Sequence, residues 1–191
     1  SLLGVIYALH LRDTLQHVAA LIYAGAAIAA VLAGDLITLF ICWELTAIAS
    51  VFLIWASRTE KAIRVGLRYL VIQVGSGVIL LAGVIIHAQA TGSIAFDFIG
   101  LESPGGALIF IAFGIKCAFP LLHNWLQDAY PEATVTGAVV LSAFTTKLAV
   151  YALARGFAGT EMLIYIGATM TAFPILFAVI ENDMRRVLSY S

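Results

Sequence analysis

Residues 113–134 read FGIKCAFPLLHNWLQDAYPEAT, and this stretch places a lysine inside an otherwise apolar run. Lys116 is followed four residues later by Pro120 and seven residues later by His123. Because proline has no backbone N–H, the carbonyl of Lys116 loses its normal helical partner. Inside a bilayer, such a carbonyl is tolerated only where protein groups or water satisfy it. The stretch therefore predicts a membrane helix that is broken near Pro120, at a polar site.

The composition indicates a membrane protein. Hydrophobic residues make up 62% of the chain and charged residues 11%, and the mean hydropathy is +1.04. Soluble domains carry about 25% charged residues. The net charge of −1 and the lack of a basic tract give no basis for nucleic-acid binding. Both cysteines lie in apolar runs, so no disulfide framework is indicated, and we predict neither a metal site nor a cofactor.

Apolar runs of about 20 residues, the length that crosses hydrocarbon, follow one another along the chain. They predict an all-α polytopic membrane protein with about six transmembrane helices plus partial ends. The predicted spans cover residues 17–33, 35–56, 65–89, 107–128 (the broken one), 135–156 and 162–180. Both ends of the sequence look cut, so we interpret residues 1–191 as one membrane domain from a longer chain.

The basic residues assign the two sides of the membrane. Counting through the spans, one side collects six of them: Arg12, Arg58, Lys61, Arg64, Arg185 and Arg186. The other side collects only Arg155. Short loops rich in lysine and arginine stay in the cytoplasm. We therefore predict a multi-pass protein of the cell (inner) membrane whose Arg58/Lys61/Arg64 loop is cytoplasmic.

Three charged residues fall near the middle of predicted spans, where no loop can contain them: Glu44, Lys116 and Lys147. Each charge costs about 2.5–3.5 kcal/mol at a helix centre on insertion scales, which favours a functional role. We expect Glu44 and Lys116 to approach within ion-pair distance. A pair that only fixes helix packing is the alternative, but it leaves Lys147 without an acid. Since removal from water favours the neutral form of a lysine, a lysine in a wet cavity is suited to carry protons.

The neighbouring polar residues extend this hypothesis. His123 is a candidate relay, with a packing histidine as the alternative reading. Arg68 is expected to meet an acid or lipid headgroups. Asp128 and Glu132 either gather protons or belong to a solvated loop. We expect protons to pass laterally between the two lysines through water, His123 and three hydroxyl groups, those of Ser142, Thr145 and Thr146.

Four motifs carry a family resemblance. They read WE at 43–44, GIKCAFPLLHNWLQDAYPEATVT at 114–136, TKLAVYALAR at 146–155 and DMRRVLSYS at 183–191. On these motifs the chain resembles the antiporter-like membrane subunits shared by respiratory complex I and the multisubunit Mrp-type cation/proton antiporters, and among these the Mrp D-type subunit.

The resemblance implies a fold and a function. The family fold contains a pair of inverted five-helix repeats, each with a broken helix. Residues 17–156 would form the first repeat and residues 162–191 the start of the following part. By position, Glu44, Lys116 and Lys147 would be the family's proton-translocating residues. The implied partners are other membrane subunits of an antiporter or respiratory-type complex, and the implied cargo is protons, with Na⁺ left open.

Two other functions compete with this interpretation. In the first, the chain is a membrane subunit of a redox complex, of the NADH:quinone oxidoreductase or hydrogenase type, that couples electron transfer to proton pumping. Its four histidines show no pair on one span that faces a common haem. In the second, it is a structural membrane anchor. We expect a transporter subunit that catalyses no reaction of its own.

Overall fold

Helices account for most of residues 2–190, the part of the chain that the computed structural model describes. Ser1 and Ser191, the two ends of the predicted domain, lie outside this part. The helices are α1 (Leu2–Ala8), α2 (Thr14–Leu32), α3 (Leu36–Trp55), α4 (Glu60–Thr91), α5 (Gly106–Cys117), α6 (Asn124–Glu132), α7 (Val135–Gly156), α8 (Met162–Ile180) and α9 (Met184–Tyr190).

Five of the described helices are long and apolar enough to cross a membrane: α2, α3, α4, α7 and α8. The remaining predicted span, 107–128, is divided between α5 and α6, which have 12 and nine residues. Neither reaches the ~20 residues that a crossing needs. The prediction of an all-α polytopic membrane protein with one broken helix is confirmed. Its division into repeats stays a prediction.

The start of α4 differs from the prediction. The helix begins at Glu60 rather than near residue 65, so Lys61 and Arg64 lie on its first turns instead of in a loop. Thr59 caps the helix, because its side chain accepts a hydrogen bond from the backbone N–H of Ala62. A threonine cap followed by an acidic residue in the first turn favours an early helix start.

Two apolar clusters hold the helices together around α3, which contacts α2, α4, α6 and α7. One cluster surrounds the rings of Trp43 and Phe113. The other surrounds Trp125. The two clusters meet at the end of α5, where Cys117 and Phe119 belong to the first cluster and Ala118 to the second. The broken helix therefore lies where the two halves of the core meet.

The loop between α4 and α5 closes one end of the bundle. The backbone N–H of Phe96 donates to the carbonyl of Gly34, and that of Ile99 donates to Gly156. Arg155 lies over the ring of Phe96, 4.5 Å from its centroid. These contacts tie the loop both to the turn before α3 and to the end of α7.

Gly105 lets α5 begin close to α4. A Cβ atom at this position would lie 2.2 Å from the carbonyl oxygen of Gly83, and its φ of +78° is in the left-handed region. We expect Gly105→Ala to lower the thermal stability of the purified full-length protein through both the collision and the strain. Gly159→Ala is the matched control, since Gly159 has the same φ and no atom within 4 Å. The control should cost only about 1–2 kcal/mol for the strain. Equal losses would contradict the close approach.

Candidate functional site

Lys116 lies in the last turn of α5 and is 1% exposed. Its Nζ donates hydrogen bonds to the carbonyl oxygen of Trp43, at 3.0 Å, and to the hydroxyl of Thr46, at 2.8 Å. It also lies 4.2 Å from the centroid of the Trp43 ring. The buried ammonium is thus held by a carbonyl, a hydroxyl and an aromatic face, all on α3. Such neutral groups stabilise a charge without fixing it to a counter-ion.

The helix break begins two residues after Lys116. The backbone N–H of Phe119 donates to Gly114, and that of Ala118 donates to Ile115, which is the Schellman pattern that ends a helix. Ala118 and Leu121 have φ of 64° and 72°, so the chain turns sharply on both sides of Pro120. The predicted break is present, and it lies beside the buried lysine.

A contact across the break keeps its two ends together. The indole N–H of Trp125, on α6, donates to the carbonyl oxygen of Ile115 on α5 at 3.0 Å. At the helix stop this carbonyl accepts from the backbone N–H of Ala118 in place of a regular i+4 bond, and the tryptophan adds a second donor. Freed carbonyls at membrane depth require such partners.

Glu44 does not form the expected ion pair with Lys116. The four ion pairs within 4.0 Å found among residues 2–190 do not include it. Its carboxylate turns toward α4, where a Cβ atom on Gly77 would lie 1.5 Å from Oε1. Oε1 is buried and has no hydrogen-bond partner among the described residues. The carboxylate and the ammonium therefore lie more than 4.0 Å apart, and the gap at Gly77 accommodates the carboxylate.

Gly77 thus creates the space for the Glu44 carboxylate, and a substitution there tests this geometry. We expect Gly77→Ala to displace the carboxylate and to slow ion transport by the assembled protein by about tenfold or more, while the protein still inserts. The matched control is Gly75→Ala on the same helix, where a Cβ atom would meet nothing within 4 Å. Transport at the control's rate would contradict the placement of Glu44 against α4.

One cavity of about 270 Å³ adjoins the helix break, and no residue of α3 lines it. Cys117, Ala118 and Pro120 line it from the break, and residues of α7 and α8 line the opposite wall. The predicted site residues that border it are His123, Ser142, Thr146 and Lys147. The structure therefore brings the break and the second lysine to a single cavity. The ammonium of Lys116 is turned away from this cavity toward α3.

Lys147 is exposed along the face of α7 that borders the cavity. Its Nζ donates to the backbone carbonyl of Ser142 at 2.8 Å. Thr145 points elsewhere: its hydroxyl donates to the carbonyl of Leu141 and contacts the hydroxyl of Tyr23 on α2. The cavity thus receives the predicted hydroxyls of Ser142 and Thr146 but not that of Thr145, which faces a different helix.

His123 stands immediately before α6 and is partly exposed. Its ring contacts the edge of Phe173 on α8, with centroids 6.2 Å apart. It therefore has the position that a relay between the break and α7 needs, and it also packs against an aromatic ring. Both interpretations of this histidine are compatible with its surroundings.

The accessory acids are paired with bases on α4. Arg68 lies 3.0 Å from Asp128, and Lys61 forms an ion pair with Glu132. The prediction that Arg68 meets an acid is correct. These partly exposed pairs connect α4 to α6, and each contributes little to stability on its own.

Two contributors to the site were not predicted from the sequence. Trp43 supplies both a carbonyl and a ring to Lys116, and Thr46 supplies its hydroxyl. The signal was available in the sequence, because both lie within one turn of Glu44 and share a face of α3. No cluster of three or more histidine, cysteine, aspartate or glutamate side chains suited to a metal occurs among residues 2–190.

Comparison with known proteins decides the family. Residues 33–191 match the family model described as NADH:quinone oxidoreductase/Mrp antiporter, TM. The chain belongs to this family. The match includes the helix break, Glu44, Lys116 and Lys147, so the site described above lies within the family's transmembrane domain.

Individual relatives come from both branches of the family. The chain is 31% identical over 181 residues to the D-type subunit of the Na(+)/H(+) antiporter of Alkalihalophilus pseudofirmus, covering 84% of this chain and 36% of that protein. It is 27% identical over 227 residues to the M-type subunit of the NADH-quinone oxidoreductase of Pseudomonas aeruginosa, covering all of this chain and 44% of that protein.

A solved structure supports the fold. The chain superposes on a chain of respiratory complex I from Thermus thermophilus with a TM-score of 0.84 at 20% identity, covering 99% of this chain and 45% of that one. The sequence thus spans less than half the length of each of these relatives.

Proposed function

We propose that this chain is part of a proton- or cation-translocating membrane subunit of a multisubunit Na⁺/H⁺ antiporter of the Mrp D type. The family and the relative from the Alkalihalophilus pseudofirmus antiporter support this assignment. The proposed partners are the other membrane subunits of that assembly. The chain itself catalyses no reaction and moves protons, with Na⁺ as a second candidate ion.

The observation that carries the proposal is the cavity between the helix break and α7. Cys117, the residue that follows Lys116, lines this cavity together with His123 and Lys147. Two titratable side chains, His123 and Lys147, thus line one cavity, and Lys116 is adjacent in sequence to its wall; a proton relay requires titratable groups placed in this way. A structural anchor needs no titratable groups at a cavity, and these groups would only make its insertion into the membrane less favourable.

The proton movement follows from the surroundings of Lys116. Its ammonium rests on Trp43 and Thr46, with the Glu44 carboxylate turned toward Gly77. A closer approach of Glu44 favours the charged ammonium, and its retreat favours the neutral amine. The break allows the end of α5 to shift, so that Lys116 passes a proton to the cavity. His123 and Lys147 then carry it onward in the membrane plane.

The orientation is part of the proposal. Arg58, Lys61 and Arg64 stand at and after the turn between α3 and α4, and we place this end of the bundle in the cytoplasm of the cell membrane. The ion pairs of Arg68 and Lys61 with α6 would then lie at the cytoplasmic end of the broken helix.

A second candidate is a proton-translocating subunit of a redox complex. The relative from the Pseudomonas aeruginosa oxidoreductase and the superposition on a complex I chain favour it. In that assembly, other subunits transfer electrons and this chain performs the same proton transfer. Identification of the subunits that co-purify with the full-length protein after mild solubilisation separates the two assemblies.

The proposal is tested by removing the acidic charge. We expect Glu44→Gln, in the full-length protein reconstituted with its partners, to reduce proton transport by at least about tenfold, because Lys116 loses the charge that controls its proton. Membrane insertion and assembly should be retained, since Glu44 makes no ion pair that holds helices together in residues 2–190. Glu102→Gln, in the exposed loop before α5, is the control. Unimpaired transport by Glu44→Gln would refute the proposed function.

A further inference from the structure

Gln73, in the middle of α4, is a buried polar residue that no part of the proposed relay uses. It is 0% exposed. Neither atom of its carboxamide has a hydrogen-bond partner among the described residues. Burying an unpaired amide costs about 1–3 kcal/mol, so a glutamine kept at such a position indicates a role other than packing.

The neighbours of Gln73 on α4 show which way it faces. Ser76, one turn later, accepts a hydrogen bond from the indole of Trp43 at 3.3 Å. Tyr69, one turn earlier, contacts the hydroxyl of Ser50 at 2.8 Å. Gln73 shares this helical face and therefore lies opposite the part of α3 between Trp43 and Ser50. Thr46, which holds Lys116, occupies that part of α3.

Glu44 adjoins the same face. Its Oε1 occupies the place that a side chain at position 77 would take, and residues four apart on a helix have Cβ atoms about 5–6 Å apart. A glutamine side chain is long enough to span that separation. The unpaired Oε1 of Glu44 and the unpaired amide of Gln73 are thus both buried, at positions about one turn apart along α4.

We propose that Gln73 is a positioning residue that links Glu44 to Lys116. These atoms are unpaired in the present arrangement; a rotation of the Gln73 side chain during transport would let its Nε2 donate to Oε1 of Glu44 and its Oε1 accept a hydrogen bond from the ammonium of Lys116. An amide suits this position because it offers a donor to the carboxylate and an acceptor to the ammonium at the same time. It would connect the two charges, which form no direct ion pair. The expected effect of Gln73 on transport rests on the proposed function. The contact between Gln73 and the two charged residues does not.

The test uses Gln73→Met, an apolar side chain of similar shape, in the full-length protein with its partner subunits. We expect thermal stability to change little, because the substitution removes the burial cost of the amide together with its hydrogen bonds. Proton transport should fall by about tenfold or more, the equivalent of one hydrogen bond to a charged group. A residue that only fills space would show neither this loss of transport nor the spectroscopic change described next.

Infrared spectroscopy of the purified protein reports the contact directly. The carboxyl bands of Glu44 are those lost in Glu44→Gln, and we expect Gln73→Met to shift them. Gln16→Met is the matched control: Gln16 is 5% exposed and bonded to Thr136 on α7, so this variant should lose stability and leave the Glu44 bands in place. Unshifted bands in Gln73→Met, whatever its transport rate, would overturn the proposal. Shifted bands together with normal transport by both Gln73→Met and Glu44→Gln would leave the contact standing and refute the proposed function instead.

Discussion

Replacement of Lys116 by methionine should reduce proton transport by at least about 10²-fold, the range lost when a positioned acid–base group is removed. The side chain is 1% exposed and donates to Trp43 and Thr46. Bulk water therefore does not reach this position to transfer protons in place of the lysine. Methionine fills a similar volume without the charge. Stability should therefore hold or rise, because burying the ammonium carries a desolvation cost.

The measurement is proton uptake by vesicles that contain the full-length protein with its partner subunits. Lys61→Met is the matched control, because Lys61 is an exposed lysine on α4 whose ion pair lies at the surface. It should transport at close to the wild-type rate. If Lys116→Met also did so, Lys116 would be a structural residue and the relay would have to start elsewhere.

Lys147 provides the second large effect. We expect Lys147→Ala to reduce proton transport by about 10²-fold, because the cavity then has no proton acceptor on the α7 side. Lys147→Arg should be almost as slow, since a guanidinium keeps the charge but does not release its proton. This pair of variants separates a relay from a residue that only supplies positive charge.

The same vesicle assay gives the results that would contradict these predictions. Wild-type transport by Lys147→Ala would exclude lateral transfer between the lysines. Wild-type transport by Lys147→Arg alone would show that only charge matters at this position. His123→Ala should slow transport less than Lys147→Ala does, because His123 also packs on Phe173. A wild-type rate for it would remove the histidine from the relay without affecting the lysines.

The spans and the break were predictable because both depend on local sequence. Hydropathy over about 20 residues defines a span, and Pro120 in an apolar run defines a break near Lys116. The start of α4 was harder to predict from the sequence. Charged residues at 60, 61 and 64 resemble a loop, but the Thr59 cap begins the helix before them.

The inner geometry of the site was not predictable in the same way. Whether Glu44 faces Lys116 or α4 depends on the gap left by Gly77, a residue 33 positions away on another helix. Thr145 and Thr146 are adjacent in sequence, but successive residues of a helix point about 100° apart. One therefore meets Tyr23 on α2 and the other borders the cavity. Only the packing of α7 against its neighbours decides which of the two threonines borders the cavity.

Water in the cavity tests the central claim most directly. A high-resolution electron cryomicroscopy map of the full-length protein in its assembly would show what occupies the space between the helix break and Lys147. We expect a chain of ordered waters, each within hydrogen-bond distance of the next, running from the break past His123 to Nζ of Lys147. A cavity filled by lipid or by side chains of neighbouring segments, with no water between the break and Lys147, would contradict the proposed relay.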